Sequence, residues 1–511
     1  MVIRTEASRL IGAGHVVRCL TLASALRGAG ARVRFVCRER PGDLCERIEQ
    51  SGFGVERLPP AASESPSDPW NAGPWEDEAR ASLAAIERGG PRPQWLICDH
   101  YAIDDRTEKA LRTVSERILV IDDLANRRHD CDVLLDQNLI AGMQQRYNEL
   151  VAPDTAQLLG PRFALLQPEY VAARVGLRLR QGPVERILVF FSGADVDNLT
   201  GLTLDVLASL GRPDIGVDVV ITGAHQFASD IASQVARASN LTLYRDLPSL
   251  APLMARADLA IGATGVTSWE RACLGLPSLA ISMSDNQRAV AAELHRSGVV
   301  RWIGHTGEVN AVSLRAEVSA LVNAGIDPAW SARCAAVVDG AGAARVSDVL
   351  LVNADTDLRL RRAEAADEGL LLEWANDPAT RANAFSTDPV TAEGHQRWFA
   401  ARRDSATTRS YVAETATRTP VGQVRFDRHG QGWEIDYSVA PVFRGRRLAG
   451  PLLRAALREL GREFPGATVL GRVKPTNQAS ARAFRSLGFE CRSDERGEVY
   501  TATALPDEVE R

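Results

Sequence analysis

The chain has 511 residues, enough for two or three domains, since a single hydrophobic core stops growing at roughly 250 to 300 residues. Its formal net charge of -5 and pI near 6.0 give no electrostatic reason to expect nucleic acid or an anionic membrane as a partner. No apolar stretch approaches the roughly 18 residues of a membrane span, the opening residues lack the pattern of a signal peptide, and none of the eight cysteines forms a C-x-x-C pair. The thiols therefore read as small buried hydrophobes, with no metal expected, and a reducing cytoplasm is the expected compartment.

In chain order, the short strand Val2-Ile3-Arg4 is followed by the glycine turn Gly12-Ala13-Gly14-His15 and a helix-like run over 16–23. This puts the His15 imidazole at a strand-to-helix turn, where α/β proteins bind ligands. Gly14 lets the backbone approach a bound group, and the positive end of a helix favours a neutral imidazole able to accept a proton. The full G-x-G-x-x-G dinucleotide fingerprint is absent, and Arg38 stands where its acidic residue belongs after the strand 33–37. A tight turn with a helix-capping histidine fits the same residues.

Further apolar runs at 95–98 and 117–121 alternate with helical stretches, which predicts a parallel sheet covered by helices over residues 1–170. The breaker-rich segment 59–74 predicts a surface loop. Asp99-His100-Tyr101 and Asp122-Asp123 follow strands and are expected to line a cleft, or to serve as caps and loop bonds.

A second alternating series, over 171–350, has strands at 187–191, 217–222, 241–244, 259–262 and 278–282. Ser192-Gly193-Ala194-Asp195, with Asn198, forms a strand-loop-helix start suited to phosphate or sugar hydroxyls. The small-residue loop through Gly265 and Ser268 offers free amides for a pyrophosphate. Glu270 is expected in the first turn of the next helix, either accepting from ribose hydroxyls or complementing the helix dipole.

From residue 357 to 505 the rhythm changes: strand 358–362, helices 366–374 and 392–402, then strands 410–414, 421–428 and 433–439 with no helices between them. This predicts an antiparallel α+β domain. The basic loop Arg444-Gly445-Arg446-Arg447-Leu448-Ala449-Gly450 opens a helix over 452–464, an arrangement suited to a pyrophosphate. Glu434 and Asp436 share one face of their strand, as a base and its neighbour or as a solvated surface.

The stretches 11–20, 99–101, 192–195, 268–275 and Asn286-Gln287 resemble, in order, the UDP-2,4-diacetamido-2,4,6-trideoxy-β-L-altropyranose hydrolases of pseudaminic acid biosynthesis, over about residues 1–345. The resemblance implies a GT-B-like pair of Rossmann-type lobes that releases UDP, with inversion, to water. His15 would then be the base and Tyr101 would lie beside the sugar. Gly14, Ser192, Gly193, Asp195, Gly265, Ser268, Glu270 and Asn286 would bind substrate. The Ser-Gly-Ala-Asp loop departs from the more usual Gly-Gly-Ser/Thr-Asp.

Residues 357–505 resemble the Gcn5-related N-acetyltransferases (GNAT), which implies acetyl-CoA held by Val439, Arg444, Gly445, Arg446, Ala449, Gly450, Asn477 and Ser480; either Glu434 or Asp436 could be the base, directly or through water, and Glu434 is the one selected. Arg447 stands at the loop's inner glycine position, and Phe484 stands where many relatives carry a tyrosine that protonates the leaving thiolate. The joint expectation is a bifunctional nucleotide-sugar enzyme: it N-acetylates the 4-amino group of a UDP-sugar and then hydrolyses the product, with UDP-sugar and acetyl-CoA as its small-molecule partners. Two rivals are an inverting glycosyltransferase with a sugar or lipid acceptor, and a C-terminal domain that binds acetyl-CoA without transfer.

Overall fold

The computed structural model describes residues 1–60, 69–70, 73–191, 195–223, 225–494 and 497–504. Most of the breaker-rich segment, and the candidate residues Ser192 and Gly193, lie outside the described residues. The chain divides into two compact units, Met1–Ser347 and Asp348–Arg511.

The first unit holds two parallel sheets. The first sheet contains β1 (Val2–Thr5), β2 (Arg34–Arg38), β3 (Gly54–Leu58), β4 (Trp95–Asp99), β5 (Arg117–Ile121), β6 (Val133–Asp136) and β7 (Ala156–Leu159), in the order β3-β2-β1-β4-β5-β6-β7. β1 and β4 are buried along their length, as expected of central parallel strands covered on both faces. Between β1 and β4 the winding reverses, so the loops after these two strands part and leave a crevice at their carboxyl ends. His15 follows β1 and Asp99 ends β4.

The second sheet repeats the arrangement with β8 (Arg186–Phe190), β9 (Gly216–Ile221), β10 (Leu241–Arg245), β11 (Leu259–Ala263), β12 (Ser278–Ser282) and β13 (Arg301–His305), ordered β10-β9-β8-β11-β12-β13. Its reversal falls between β8 and β11, the strands that precede Asp195 and Gly265. Apolar side chains from both faces of this sheet, Val189, Ile261 and Leu279 among them, form one continuous core.

The second unit is a mixed sheet of β14 (Arg359–Arg362), β15 (Thr408–Glu414), β16 (Pro420–His429), β17 (Gly432–Val439), β18 (Thr468–Val473), β19 (Glu490–Asp494) and β20 (Gly497–Thr503), ordered β14-β15-β16-β17-β18-β20-β19. The antiparallel prediction holds for β14 through β17, whereas β17 and β18 run parallel. Their pairing ends at Glu434 and Leu470, while β17 continues to Val439 and β18 to Val473. The two strands therefore splay, leaving unpaired backbone beside a cavity. Two helix boundaries differ from expectation. The helix after the basic loop begins at Ala449, ahead of the expected 452, and the helix expected at 366 is a 3-10 turn (Ala365–Asp367) leading into Glu368–Asn376.

Gly262 lies where β11 crosses closest to β8: a Cβ there would sit 2.1 Å from the Phe190 carbonyl oxygen. No rotamer relieves a clash with backbone, so Gly262→Ala is expected to destabilise the unit by about 1–3 kcal/mol. The check is the denaturant midpoint of the full-length variant against wild type, with an unchanged midpoint counting against this close approach.

Candidate functional site

In the first unit the site is built on the helix Gly14–Gly28. Gly12 takes φ +82°, and the Ser8 hydroxyl accepts from the amides of Leu10 and Ile11, which holds the turn ahead of the helix. Space is open above Gly14, where a Cβ would meet no atom within 4 Å. His15 is buried, and its Nδ1 lies 2.7 Å from Oδ1 of the fully buried Asp99. Arg18, one helical turn on, grips the same carboxylate with Nε at 2.7 Å and Nη2 at 2.6 Å.

The short Nδ1–Oδ1 distance determines the tautomer. An unprotonated Nδ1 would set its lone pair against a carboxylate oxygen, so Nδ1 carries the proton and donates it to Asp99. In the neutral ring Nε2 is then the lone-pair nitrogen, and among the described residues the ring's hydrogen-bond contacts are made at Nδ1. Burial raises the Asp99 pKa, but the Arg18 guanidinium and then His15 outweigh it and hold the carboxyl well below its ordinary range.

Around the imidazole, Trp70 and Tyr101 present ring edges at centroid distances of 4.6 and 4.8 Å. The Tyr101 hydroxyl donates to Asp123, which Arg18 also reaches at 3.1 Å. Burial pushes the Tyr101 hydroxyl pKa up, so the group stays protonated. His15 and Tyr101 are thus brought together. Three partners were not singled out in the sequence: Arg18, Trp70, and the orienting role of Asp99. The i, i+3 spacing of Arg18 from His15 is a usable signal for the first. Nothing local marks Trp70, which comes from the breaker-rich segment.

In the second lobe several candidates are occupied with holding local structure. Asp195, expected to bind substrate, is fully buried and accepts from the amides of Leu199 and Thr200, both at 2.9 Å. It satisfies the start of the helix Leu199–Ser209, whose amides have no partner within the helix. Ser268 is likewise buried, its hydroxyl accepting from the Gly265 amide at 3.2 Å and from Arg271 at 3.1 Å. Both side chains shape the loops in which they stand. Gly265 has extended backbone ahead of the helix Val266–Cys273, whose start keeps the amides suited to an anion.

Glu270 is the fifth residue of that helix, so it stands in the second turn and not the first. There its carboxyl meets the Tyr170 hydroxyl, and burial pushes its pKa up to about 7. Asn286 is exposed on the helix Asp285–Arg296, its Oδ1 accepting from Ser284 at 2.6 Å.

In the second unit a cavity of about 1350 Å³ lies beside the splay of β17 and β18. Val439, Arg444, Gly445, Ala449, Gly450, Asn477 and Ser480 all line it. Gly445 takes φ +75° and Arg447 φ +61°, so the arginine adopts the left-handed backbone expected of a glycine. The helix Ala449–Glu463 starts without a side-chain cap, which leaves its first amides for a ligand. Arg444 is tied to Asp377 at 2.6 Å and Thr380 at 2.8 Å.

Arg446 is a correction. It is not among the cavity-lining residues, and its guanidinium bonds the Val349 carbonyl, beside the phenyl ring of Phe443. Asn477 caps the helix Gln478–Ser486 by accepting from the Ser480 amide at 3.1 Å, and the Ser480 hydroxyl accepts from Tyr437 at 3.0 Å. Phe484 is buried against Tyr437 and Tyr500. Glu434 and Asp436 both line the cavity, Glu434 between His429 at 3.5 Å and Arg472 at 3.7 Å, Asp436 against Arg425 at 3.3 Å.

Of the eight cysteines seven are buried, and Cys491 is exposed against expectation. Among the described residues no cluster of His, Cys, Asp or Glu is arranged to hold a metal ion, and no helix is long and apolar enough to cross a membrane.

Glu270 gives a pH test on the ligand-free protein. A carboxyl whose folded pKa is about 7 binds more protons folded than unfolded, so its contribution to stability falls as pH rises from about 4.5 to about 7. Glu270→Gln is expected to melt with wild type near pH 4 and above it near pH 8. Parallel melting curves across that range would show that the carboxyl titrates normally.

The family model for the acetyltransferase (GNAT) domain matches residues 357–490. An uncharacterized protein of Methanocaldococcus jannaschii is 22% identical over 513 residues, covering 95% of this chain and 96% of that protein. The UDP-2,4-diacetamido-2,4,6-trideoxy-beta-L-altropyranose hydrolase of Campylobacter jejuni is 26% identical over 297 residues, covering 58% of this chain and 96% of that enzyme. Among solved structures, MurG of Acinetobacter baumannii is 15% identical with a TM-score of 0.46, covering 68% of this chain and 98% of that one. The chain thus joins a region homologous to a UDP-sugar hydrolase to a C-terminal acetyltransferase (GNAT) domain.

Proposed function

We propose that the chain is a bifunctional nucleotide-sugar enzyme of pseudaminic acid biosynthesis. Its C-terminal domain, residues 357–505, transfers acetyl from acetyl-CoA to the 4-amino group of a UDP-sugar. The lobes 1–170 and 171–350 then hydrolyse UDP-2,4-diacetamido-2,4,6-trideoxy-β-L-altropyranose to free sugar and UDP. The observation that carries the hydrolase assignment is the His15–Asp99 pair at the first sheet's winding reversal; the homologous region in the Campylobacter jejuni enzyme supports the substrate.

In this reading Nε2 of His15 takes a proton from water as the oxygen attacks the anomeric carbon and the bond to UDP breaks. Asp99 holds the ring and stabilises the imidazolium that forms. Tyr101, its hydroxyl donating to Asp123, lies beside the sugar. The uncapped amides at the start of the helix Val266–Cys273 meet the charge that develops on the departing diphosphate. UDP is a good leaving group, so a base and an anion site are sufficient chemistry. In the second unit the splayed strands and the left-handed loop at Gly445 and Arg447 suit the pantetheine and pyrophosphate of acetyl-CoA.

The test supplies the UDP-4-amino sugar with and without acetyl-CoA and follows products by NMR. Free diacetamido sugar and UDP are expected only when acetyl-CoA is present. UDP release that waits for an added sugar or lipid acceptor would instead identify a glycosyltransferase. His15→Ala is expected to stall the reaction at the acetylated nucleotide sugar, slowing UDP release by about 100-fold or more. Asp99→Asn is expected to slow the same step with little change in substrate affinity. Undiminished UDP loss in His15→Ala would remove the imidazole from the mechanism.

A further inference from the structure

The acetyltransferase cavity holds another histidine–carboxylate pair, which the sequence patterns did not mark. His395, on the helix Ala392–Arg403, is buried, lines the cavity, and has Nδ1 2.7 Å from Oε1 of Glu368 on the helix Glu368–Asn376. The tautomer argument used for His15 applies again. In the neutral ring Nδ1 donates to the carboxylate and Nε2 keeps its lone pair; among the described residues the ring's hydrogen bond is made at Nδ1. The ring lies parallel to Phe399 and tilted on Trp398.

Helix and sheet together place this nitrogen. Across β15, β16 and β17 the polar face carries successive rows: Thr408, Asp427, Glu434; Ser410, Arg425, Asp436; Val412, Gln423, Ser438. The helix tracks them turn by turn. Arg402 reaches Asp427 at 3.6 Å, and Arg425 lies over Trp398 at 4.9 Å. One turn earlier on the same helix face, His395 falls over the third row. That row ends at Ser438, next to Val439 at the splay of β17 and β18. The other acidic groups on this wall have basic neighbours, Glu434 the His429 imidazole and Arg472, Asp436 and Asp427 the Arg425 guanidinium.

We propose that His395, oriented by Glu368, is the base of the acetyl-transfer reaction in place of Glu434, and that the acceptor is a primary amine whose nitrogen sits over the Gln423–Ser438 row. The inference rests on the acetyltransferase reading. The amine nitrogen bonds to the thioester carbon and the C–S bond breaks, its electron pair passing to sulfur. His395 Nε2 takes the proton that the nitrogen sheds, and the imidazolium passes it through solvent to the thiolate. Amine and acetyl thioester become amide and thiol, and the imidazole is regenerated.

The test uses the full-length chain with acetyl-CoA and a panel of primary amines that includes the UDP-4-amino sugar. His395→Ala is expected to lower kcat by about 100-fold or more while CoA affinity, measured by calorimetry, changes less than about twofold. Added imidazole is expected to restore part of the rate, which a purely structural histidine would not allow. Glu368→Gln, which keeps the imidazole, should lower kcat with KM for the amine unchanged, and Glu368→Asp should recover part of it. His395→Ala with at least half the wild-type kcat, or with a lost rate that imidazole does not restore while CoA still binds, would overturn the proposal. If wild type acetylates other amines but not the UDP-sugar, only the sugar assignment falls, and His395 is judged on the amine accepted. If wild type acetylates none of them, the acetyltransferase reading and His395 fall together.

Discussion

A buried carboxylate must be paired, and in the first unit that requirement organises the candidate site. Asp99 is fully buried at the end of a central strand, where an unpartnered charge would be costly. Arg18 supplies two donors and His15 a third. Both come from one helical turn, so the helix cannot rotate without breaking three bonds at once. Satisfying Asp99 is therefore the same event as orienting the imidazole and fixing which nitrogen carries its proton. Arg18 also reaches Asp123, the acceptor of Tyr101, so the aromatic partner is held by the same network.

The second lobe obeys the same rule through its backbone. A helix that begins inside a protein carries amides with no partner in the helix. At Leu199 and Thr200 these amides are met by Asp195. At Val266 the helix is shaped by Ser268 folding back onto Gly265, and the remaining amides stay available. Polar residues near a strand-to-helix turn thus divide into those that build the turn and those the turn presents, and the division depends on where each side chain points.

Motif reading succeeded where chemistry is local. The glycine turn before His15, the strand-to-helix alternation and the basic loop ahead of Ala449 are all set by neighbours in sequence, and the elements formed close to the expected positions. It did not show which way each polar side chain points. Asp195 and Ser268 look like ligands for phosphate in one dimension, yet their hydroxyl and carboxyl face the backbone. Arg446 reads as a phosphate contact by its place in the loop, but its guanidinium bonds the Val349 carbonyl, 97 positions away. The pairing of His395 with Glu368 spans 27 positions and has no periodic signature.

What the sequence by itself determined is the order of the domains, the class of each sheet and the turns that carry the candidate loops, because hydrophobic periodicity and glycine placement act over a few residues. What only the tertiary structure decided is which imidazole nitrogen is free and which distant side chain engages each carboxylate beside a cavity. Those outcomes depend on burial and on contacts across tens of residues. Proton position and charge respond to the surrounding dielectric and to distance in space, neither of which is ordered along the chain.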